Sequence, residues 1–133
     1  MARILVIDDV PAFTALLRMT LETRGHHVAE AHDGLSGLSM LEREPFDLAI
    51  VDMMMPGLDG IELIRRLRAR DASRAPGVDA PAIIAMSGGT DDFPAAFSLT
   101  LSAMHGADRL LYKPFDNSEL TAAVDELLAV RAA

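Results

Sequence analysis

Short apolar runs alternate along this chain with longer segments in which apolar residues recur at helical spacing. The alternation predicts an α/β domain with a parallel sheet covered by helices on both faces, because parallel strands must be joined by crossover connections. In such sheets the loops at the carboxyl ends of the strands converge on one crevice. The predicted strands are residues 3–7, 27–31, 48–51, 82–86 and 109–112.

A helix is predicted after each strand. Pro11 opens the first helix, where its missing N–H costs nothing, and Gly25 ends it. Asp59 and Glu62 resemble a capping box at the start of the third helix. The fourth is placed within residues 94–105, and the last begins near residues 116–119. The apolar residues at helical spacing that mark the first two helices are Phe13, Leu16, Leu17, Leu21, Leu35, Leu38 and Leu41. Those that we expect to face inward in the third and last helices are Ile61, Ile64, Leu67, Leu120, Val124, Leu127 and Leu128.

Composition excludes several classes of protein. The 133 residues fit one domain, which we expect to span residues 1–133 without an effector domain. The absence of cysteine excludes disulfides and thiolate zinc sites. A net charge of −8 argues against a nucleic-acid binder. No apolar run approaches the roughly 20 residues that span a bilayer, so we expect no membrane partner and a cytoplasmic protein.

Chemically active side chains follow four of the five predicted strands. Asp8 and Asp9 follow the first strand, and Asp52, Ser87 and Lys113 follow the third, fourth and fifth. All lie on the same edge of the predicted sheet. An isolated aspartate at such a position is usually a helix cap, but capping does not explain three aspartates, a hydroxyl and a lysine together.

Three neighbouring carboxylates repel one another unless a cation lies among them. Their hard oxygen atoms suit Mg²⁺, which takes one or two carboxylates together with phosphate oxygens. A carboxylate beside a divalent cation can attack a phosphoryl group and form an aspartyl phosphate. The remaining phosphoryl charge would then be covered by Lys113, Ser87 and the backbone amides of Met53 and Gly88.

Together these residues resemble the response-regulator receiver domain, in a stand-alone form like the chemotaxis receiver. The resemblance rests on Asp8-Asp9, the run from Asp52 to Gly60, Ser87-Gly88 and Lys113-Pro114-Phe115, in that order. It covers nearly the whole chain. It implies a flavodoxin-like, doubly wound fold with five helices and five parallel strands in the order 2-1-3-4-5.

The resemblance also implies a role for each matching residue. Asp52 would be the phosphoacceptor, with Asp9 as a direct Mg²⁺ ligand and Asp8 acting through water. The backbone carbonyl of Met54 would complete the protein ligands to the metal. The remaining matches are Ser87 as the switch hydroxyl, Lys113 as the partner of the phosphoryl group, and Pro114 as the proline that follows through a cis peptide bond.

The function implied is that of a signalling domain in a two-component phosphorelay and not of an enzyme with an external substrate. The phosphoryl donor would be a phosphohistidine on a histidine kinase or a histidine phosphotransfer protein. Phosphorylation would switch the Ser87 loop and a face built from the helix within 94–105, the strand 109–112 and the last helix. That face would control binding of a downstream protein that the sequence does not name.

Two positions depart from the family pattern. The family usually has Tyr or Phe three residues before the lysine, and Leu110 stands there. Tyr112 is expected to point to the opposite face of the sheet from Leu111 and Lys113. The interval from Ser87 to Lys113 is also a few residues longer than usual, which predicts a longer loop at residues 88–94 and a different partner surface.

Three other functions are weighed against this one. A phosphatase with an aspartyl nucleophile would usually carry a second aspartate two residues later, where this chain has Met54. A phosphorylation-independent adaptor of receiver shape would not need the complete set of acidic residues and lysine. A nucleotide-binding flavodoxin-like protein would show a Gly-rich loop after the first strand, which is missing here.

Overall fold

The computed structural model describes residues 1–73, 80–88 and 106–132. Five strands form one parallel sheet in the order β2-β1-β3-β4-β5, which confirms the predicted topology. Asp52 and Ser87 were predicted to follow the third and fourth strands. Each of these strands is one residue longer than predicted, so that Asp52 and Ser87 are their last residues. The strands are β1 (Arg3–Ile7), β2 (His27–Ala31), β3 (Leu48–Asp52), β4 (Ala82–Ser87) and β5 (Arg109–Tyr112).

Four helices are present among the described residues. They are α1 (Pro11–Glu22), α2 (Gly34–Arg43), α3 (Gly60–Ala72) and α4 (Asn117–Ala132). The helix predicted within residues 94–105 and most of the long loop predicted at 88–94 lie outside the described residues. None of the described helices has both the length and the apolar character needed to cross a membrane.

Local side-chain contacts explain where the helices begin. Pro11 is the first residue of α1, as predicted. The side chain of Asp33 accepts a hydrogen bond from the amide of Ser36 at 2.7 Å, and that of Asp59 accepts one from Glu62 at 2.8 Å. Asp116 caps α4 in the same way through the amide of Glu119, at 2.8 Å. Each cap satisfies a backbone N–H that the helix itself cannot.

Alternate residues of the strands supply a hydrophobic core on each face of the sheet. Ile4 and Val6 face the core beneath α1 and α4, whereas Leu5 and Ile7 face the core beneath α2 and α3. The period of two follows from the pleat, which sends successive side chains to opposite faces. The central strands are therefore buried on both sides and read as unbroken apolar runs.

Two of the apolar residues that mark the first two helices are not part of the core. Leu16 is 54% exposed and Leu35 is 64% exposed. Ile61 is partly buried and packs against the core beneath α2 and α3, where Leu63 and Ile64 are fully buried. In α2 the buried residues are Gly34, Gly37, Leu38 and Leu41, which leaves Leu35 on the exposed side of the helix.

The strand register brings distant parts of the chain together at one edge. Ile7 is paired with Val51, and Asp52 is paired with Met86. Ser87 is paired with Tyr112, directly before Lys113. Because all the strands are parallel, the residues that follow or end them converge on this edge.

Candidate metal centre

Three carboxylates meet at the carboxyl ends of β1 and β3. One ligand oxygen from each of Asp8, Asp9 and Asp52 lies within 4.8 Å of the others. Asp8 is fully buried, Asp52 is 5% exposed and Asp9 is exposed. The cluster therefore has a buried floor and one carboxylate open to solvent.

Backbone contacts hold Asp8 in place. Its amide donates to the carbonyl of Ala31 at 3.1 Å, which extends the pairing of β1 with β2 by one residue. Its Oδ1 accepts a hydrogen bond from the amide of Val10 at 3.0 Å. Its other oxygen, Oδ2, is directed at the lysine described next.

Lys113 provides the positive charge of the site. Its Nζ lies 2.8 Å from Oδ2 of Asp8 and 3.5 Å from Oδ2 of Asp52. Its backbone amide donates to the carbonyl of Ser87 at 2.7 Å, which fixes the lysine to the end of β4. The peptide bond between Lys113 and Pro114 is cis, as predicted.

The setting of Asp52 changes its acidity. Burial raises the pKa of its carboxyl group from 3.8 to about 6. The charge of Lys113 and a hydrogen bond from the amide of Met54 oppose that rise, and the carboxylates of Asp8 and Asp9 add to it. Removal of water thus outweighs the nearby ammonium, because a carboxylate loses much solvation when it is buried.

The loop after β3 is tied back to the site. The amide of Met54 donates to Oδ1 of Asp52 at 3.1 Å. The amide of Met53, predicted as a phosphate-binding donor, donates here to the carbonyl of Met86 at 2.9 Å because it continues the β3–β4 ladder. Its role toward phosphate stays a prediction. Met53 and Met55 are buried, whereas Met54 is 42% exposed.

The switch-related residues occupy different surroundings. Ser87 is buried at the end of β4, next to the partly buried Gly88. Leu110 packs against the core beneath α2 and α3, whereas Leu111 belongs to the core on the other face. Tyr112, predicted to point to the opposite face from Leu111, is 39% exposed.

Sequence reasoning missed one neighbour of the lysine. The ring of Phe13, in the first turn of α1, has its centroid 4.6 Å from Nζ of Lys113. The periodicity of α1 identified Phe13 only as a core residue. An aromatic residue four positions after a strand-end aspartate is the available signal, since the first turn of α1 must lie beside the site.

The side chains present fit a divalent cation. Three carboxylates supply hard oxygen ligands, and one oxygen of each lies within 4.8 Å of the others. Asp8, Asp9 and Asp52 are therefore the residues able to hold such an ion. Mg²⁺ matches this donor set better than a metal that prefers nitrogen or sulfur.

Comparison with known families and curated proteins gives a consistent result. Residues 4–125 match the family described as the response regulator receiver domain. The DNA-binding dual master transcriptional regulator RpaA of Synechocystis is 38% identical over 129 residues, covering 96% of this chain and 49% of that protein. The response regulator MprA of Mycobacterium avium is 38% identical over 126 residues, covering 95% of this chain and 50% of that protein. The chain spans about half the length of the curated relatives it matches.

Solved structures agree over nearly the whole chain. A CheY-like response regulator receiver domain protein from Methanospirillum hungatei has a TM-score of 0.82 and 29% identity, covering 99% of this chain and 97% of that one. Response regulator TrrA from Thermotoga maritima, solved in complex with Mg²⁺-BeF, has a TM-score of 0.79 and 29% identity, covering 96% of this chain and 99% of that one.

Proposed function

This chain belongs to the response regulator receiver domain family, and we propose that it is a phosphorylation switch in which Asp52 accepts the phosphoryl group. The observation that carries the proposal is the convergence of Asp8, Asp9, Asp52 and Lys113 at one edge of the sheet. Asp8 and Asp9 are neighbours in the sequence, and the folded sheet brings them together with Asp52 and Lys113. Each of these four side chains has a defined use in phosphoryl transfer.

In the proposed reaction an oxygen of the Asp52 carboxylate attacks the phosphorus atom of the donor. With a phosphohistidine donor, the phosphorus–nitrogen bond breaks and its electron pair returns to the imidazole. With acetyl phosphate, the bond from phosphorus to the acetate oxygen breaks and acetate leaves. The product in both cases is an aspartyl phosphate on Asp52.

Asp52 must be ionised to act as the nucleophile. A cation held by Asp8, Asp9, Asp52 and the carbonyl of Met54 favours that ionised form. When bound, Mg²⁺ supplies charge neutralisation for the carboxylates and for the incoming phosphoryl oxygens. The chain's own contribution is to hold the Asp52 oxygen in a buried, oriented position through the amide of Met54.

Lys113 and the end of β4 cover the other phosphoryl oxygens. The Lys113 ammonium lies close enough to Asp52 to move from the carboxylate pair onto a phosphoryl oxygen. The hydroxyl of Ser87 and the amide of Gly88 are the further donors, whereas the amide of Met53 would first have to leave the carbonyl of Met86. Reorientation of Ser87 is the step that carries the signal away from the site.

We place the domain between two proteins. A histidine kinase or a histidine phosphotransfer protein supplies the phosphoryl group, and a downstream protein binds the face that includes β5 and α4. The catalytic activity is limited to phosphorylation and dephosphorylation of Asp52 itself. RpaA, whose name describes it as a DNA-binding regulator, is about twice as long as this chain, so nucleic-acid binding is not part of the proposal for these residues.

Intact-mass measurement after incubation with acetyl phosphate and Mg²⁺ tests the proposal. The wild-type chain should gain one phosphoryl group. The gain should disappear in Asp52→Asn and in the presence of a chelator. It should persist in Glu42→Gln, because Glu42 is exposed and lies in the last turn of α2, away from the carboxyl ends of the strands.

The opposite pattern would reject the assignment. If the wild-type chain gains no phosphoryl group from acetyl phosphate or from a phosphohistidine donor, a phosphorylation-independent adaptor of receiver shape becomes the better interpretation. A gain that survives in Asp52→Asn would move the acceptor to another residue.

A further inference from the structure

The ammonium of Lys113 lies between carboxylates and an aromatic ring. Asp8 and Asp52 approach it at 2.8 Å and 3.5 Å. The centroid of the Phe13 ring lies 4.6 Å from Nζ, within the distance of a cation–π contact. Phe13 belongs to α1 and Lys113 follows β5, so the contact joins elements from opposite ends of the chain.

The Phe13 ring is itself held in place. It meets the ring of Phe115 edge to face, with centroids 6.0 Å apart and planes at 72°. Both rings pack against the core beneath α1 and α4. Aromatic side chains have few rotatable bonds, so this packing gives the ammonium a rigid neighbour in addition to the carboxylates.

Without an adjacent rigid ring, the ammonium of Lys113 would be held less firmly beside the acidic cluster. The side chain of this lysine has four rotatable carbon–carbon bonds and is 26% exposed. Such freedom slows phosphoryl transfer, because the ammonium must lie beside a phosphoryl oxygen on which negative charge develops. Orientation is a large part of phosphoryl-transfer catalysis.

We propose that Phe13 is a positioning residue for Lys113: its ring holds the ammonium against the acidic cluster and so speeds phosphoryl transfer to Asp52. The inference rests on the proposed function. It adds a residue that the motifs Asp8-Asp9, Asp52, Ser87 and Lys113 do not include.

An aromatic ring suits this position better than a charged or an aliphatic residue. A third carboxylate beside Lys113 would neutralise the ammonium and compete with the phosphoryl group for it. An aliphatic side chain would pack but would not attract the charge. The π face attracts the ammonium while leaving its N–H donors for oxygen partners.

Three variants separate the contact from general packing. Phe13→Leu keeps an apolar side chain and removes the π face, whereas Phe13→Tyr restores it. Phe46→Leu is the matched control, because Phe46 lies under the guanidinium of Arg3 at 5.0 Å and contributes to the core on the other face. Circular dichroism and thermal melting would establish that each variant folds.

The first readout is the NMR chemical shift of the Lys113 ε-methylene protons in metal-free protein. A ring beneath the ammonium should move these protons upfield in the wild-type chain and in Phe13→Tyr. The upfield shift should vanish in Phe13→Leu and stay unchanged in Phe46→Leu. This readout does not depend on phosphorylation.

The second readout is the rate of phosphorylation by acetyl phosphate with Mg²⁺. Phe13→Leu should be slower by about 3- to 10-fold, as expected for the loss of a partly desolvated cation–π contact. Phe13→Tyr and Phe46→Leu should stay within about twofold of wild type.

Either of two results would overturn the inference. One is an unshifted ε-methylene signal in the wild-type chain. The other is a Phe13→Leu rate equal to wild type, or a Phe13→Tyr rate as slow as that of Phe13→Leu. A wild-type chain that shows the upfield shift but gains no phosphoryl group would refute the proposed function and, with it, the role of Phe13 in transfer, while leaving the contact itself intact.

Discussion

The carboxyl group of Asp52 is held in a setting that works against its ionised form. Burial raises its pKa from 3.8 to about 6, although Lys113 opposes the rise. Because the pKa of this group is higher in the folded state than in the unfolded chain, the folded state favours the neutral carboxyl group. Stability from this group is therefore fully present below pH 3.8 and is lost as pH rises through about 6.

Replacing the carboxyl group with an amide removes that dependence. In the presence of a chelator, Asp52→Asn should be more stable than wild type by about 1 to 3 kcal/mol at pH 8, and nearly equal to it at pH 3.5. The amide oxygen of asparagine can still accept the hydrogen bond from Met54. Urea denaturation at both pH values measures the difference.

A second aspartate provides the control for this prediction. Asp33 is exposed, and hydrogen bonds from Ser36 lower the pKa of its carboxyl group. Asp33→Asn should therefore bring no gain in stability at pH 8. An Asp52→Asn chain that is less stable than wild type at pH 8 would show that attraction to Lys113 outweighs the cost of burial.

The start of α3 is pressed against the end of β3. The amide of Gly60 donates to the carbonyl of Met53 at 3.2 Å. A Cβ atom on Gly60 would lie 2.2 Å from the carbonyl oxygen of Asp52 and 2.7 Å from Cα of Met53. Both of these are backbone atoms, so the helix cannot keep its position if the glycine is replaced.

We expect Gly60→Ala to damage both stability and the site. The helix and the strand must move apart, which should cost about 1 to 3 kcal/mol of unfolding free energy. Because Asp52 ends the strand, phosphorylation by acetyl phosphate should slow as well. Chemical denaturation and intact-mass kinetics measure the two effects.

Gly57→Ala separates this effect from the general cost of replacing a glycine in the same loop. Gly57 has φ of +77°, but a Cβ there would meet no atom within 4 Å. Its replacement should cost about 1 kcal/mol of backbone strain and leave the phosphorylation rate near wild type. Equal phosphorylation rates for Gly60→Ala and wild type would contradict the packing argument.

The whole domain carries an excess of negative charge, and part of that charge is gathered at the proposed site. The net charge is −8, and three carboxylates meet at one edge of the sheet. Folding brings them together, so the folded state should bind Mg²⁺ more tightly than the unfolded chain. Metal binding should then stabilise the fold by mass action.

Addition of Mg²⁺ at about ten times its dissociation constant should stabilise the domain by about 1.4 kcal/mol. Differential scanning calorimetry would record this as a rise in Tm. The rise should be absent or much smaller in Asp9→Asn, which removes the exposed carboxylate of the cluster.

General screening of the negative charge is the competing explanation for such a rise. Glu42→Gln also removes one exposed carboxylate, but from the end of α2 and not from the site. It should respond to Mg²⁺ as wild type does. A rise of the same size in wild type, Asp9→Asn and Glu42→Gln would mean that screening, and not a bound ion, stabilises the fold.

Much of the fold could be predicted because it depends on local pattern. Runs such as Ile4–Ile7 are recognisable as strands, and caps such as Asp59 mark where helices begin. The strand order came from the family resemblance. The rotation of each helix about its own axis was harder to predict, as the exposure of Leu16 and Leu35 shows, because it depends on how neighbouring surfaces fit.

The members of the site could be predicted for the same reason, because each ends or follows a strand. The contacts among these side chains could not be predicted from the sequence. Lys113 was expected to serve the phosphoryl group, and in this structure its shortest contact is with Asp8. The amide that faces Asp52 belongs to Met54, which sequence reasoning had considered only for its carbonyl.

The sequence by itself determined the alternation of strands and helices and the residues that stand at the strand ends. These features depend on the spacing of neighbouring residues, which the chain carries whatever its tertiary structure. Only the tertiary structure decided that Phe13 lies beside Lys113, that Asp52 is buried enough to shift its pKa, and that Gly60 touches the acceptor strand. Each of these depends on the distance between residues that are not neighbours in the chain, and that distance is set by how the helices pack against the sheet.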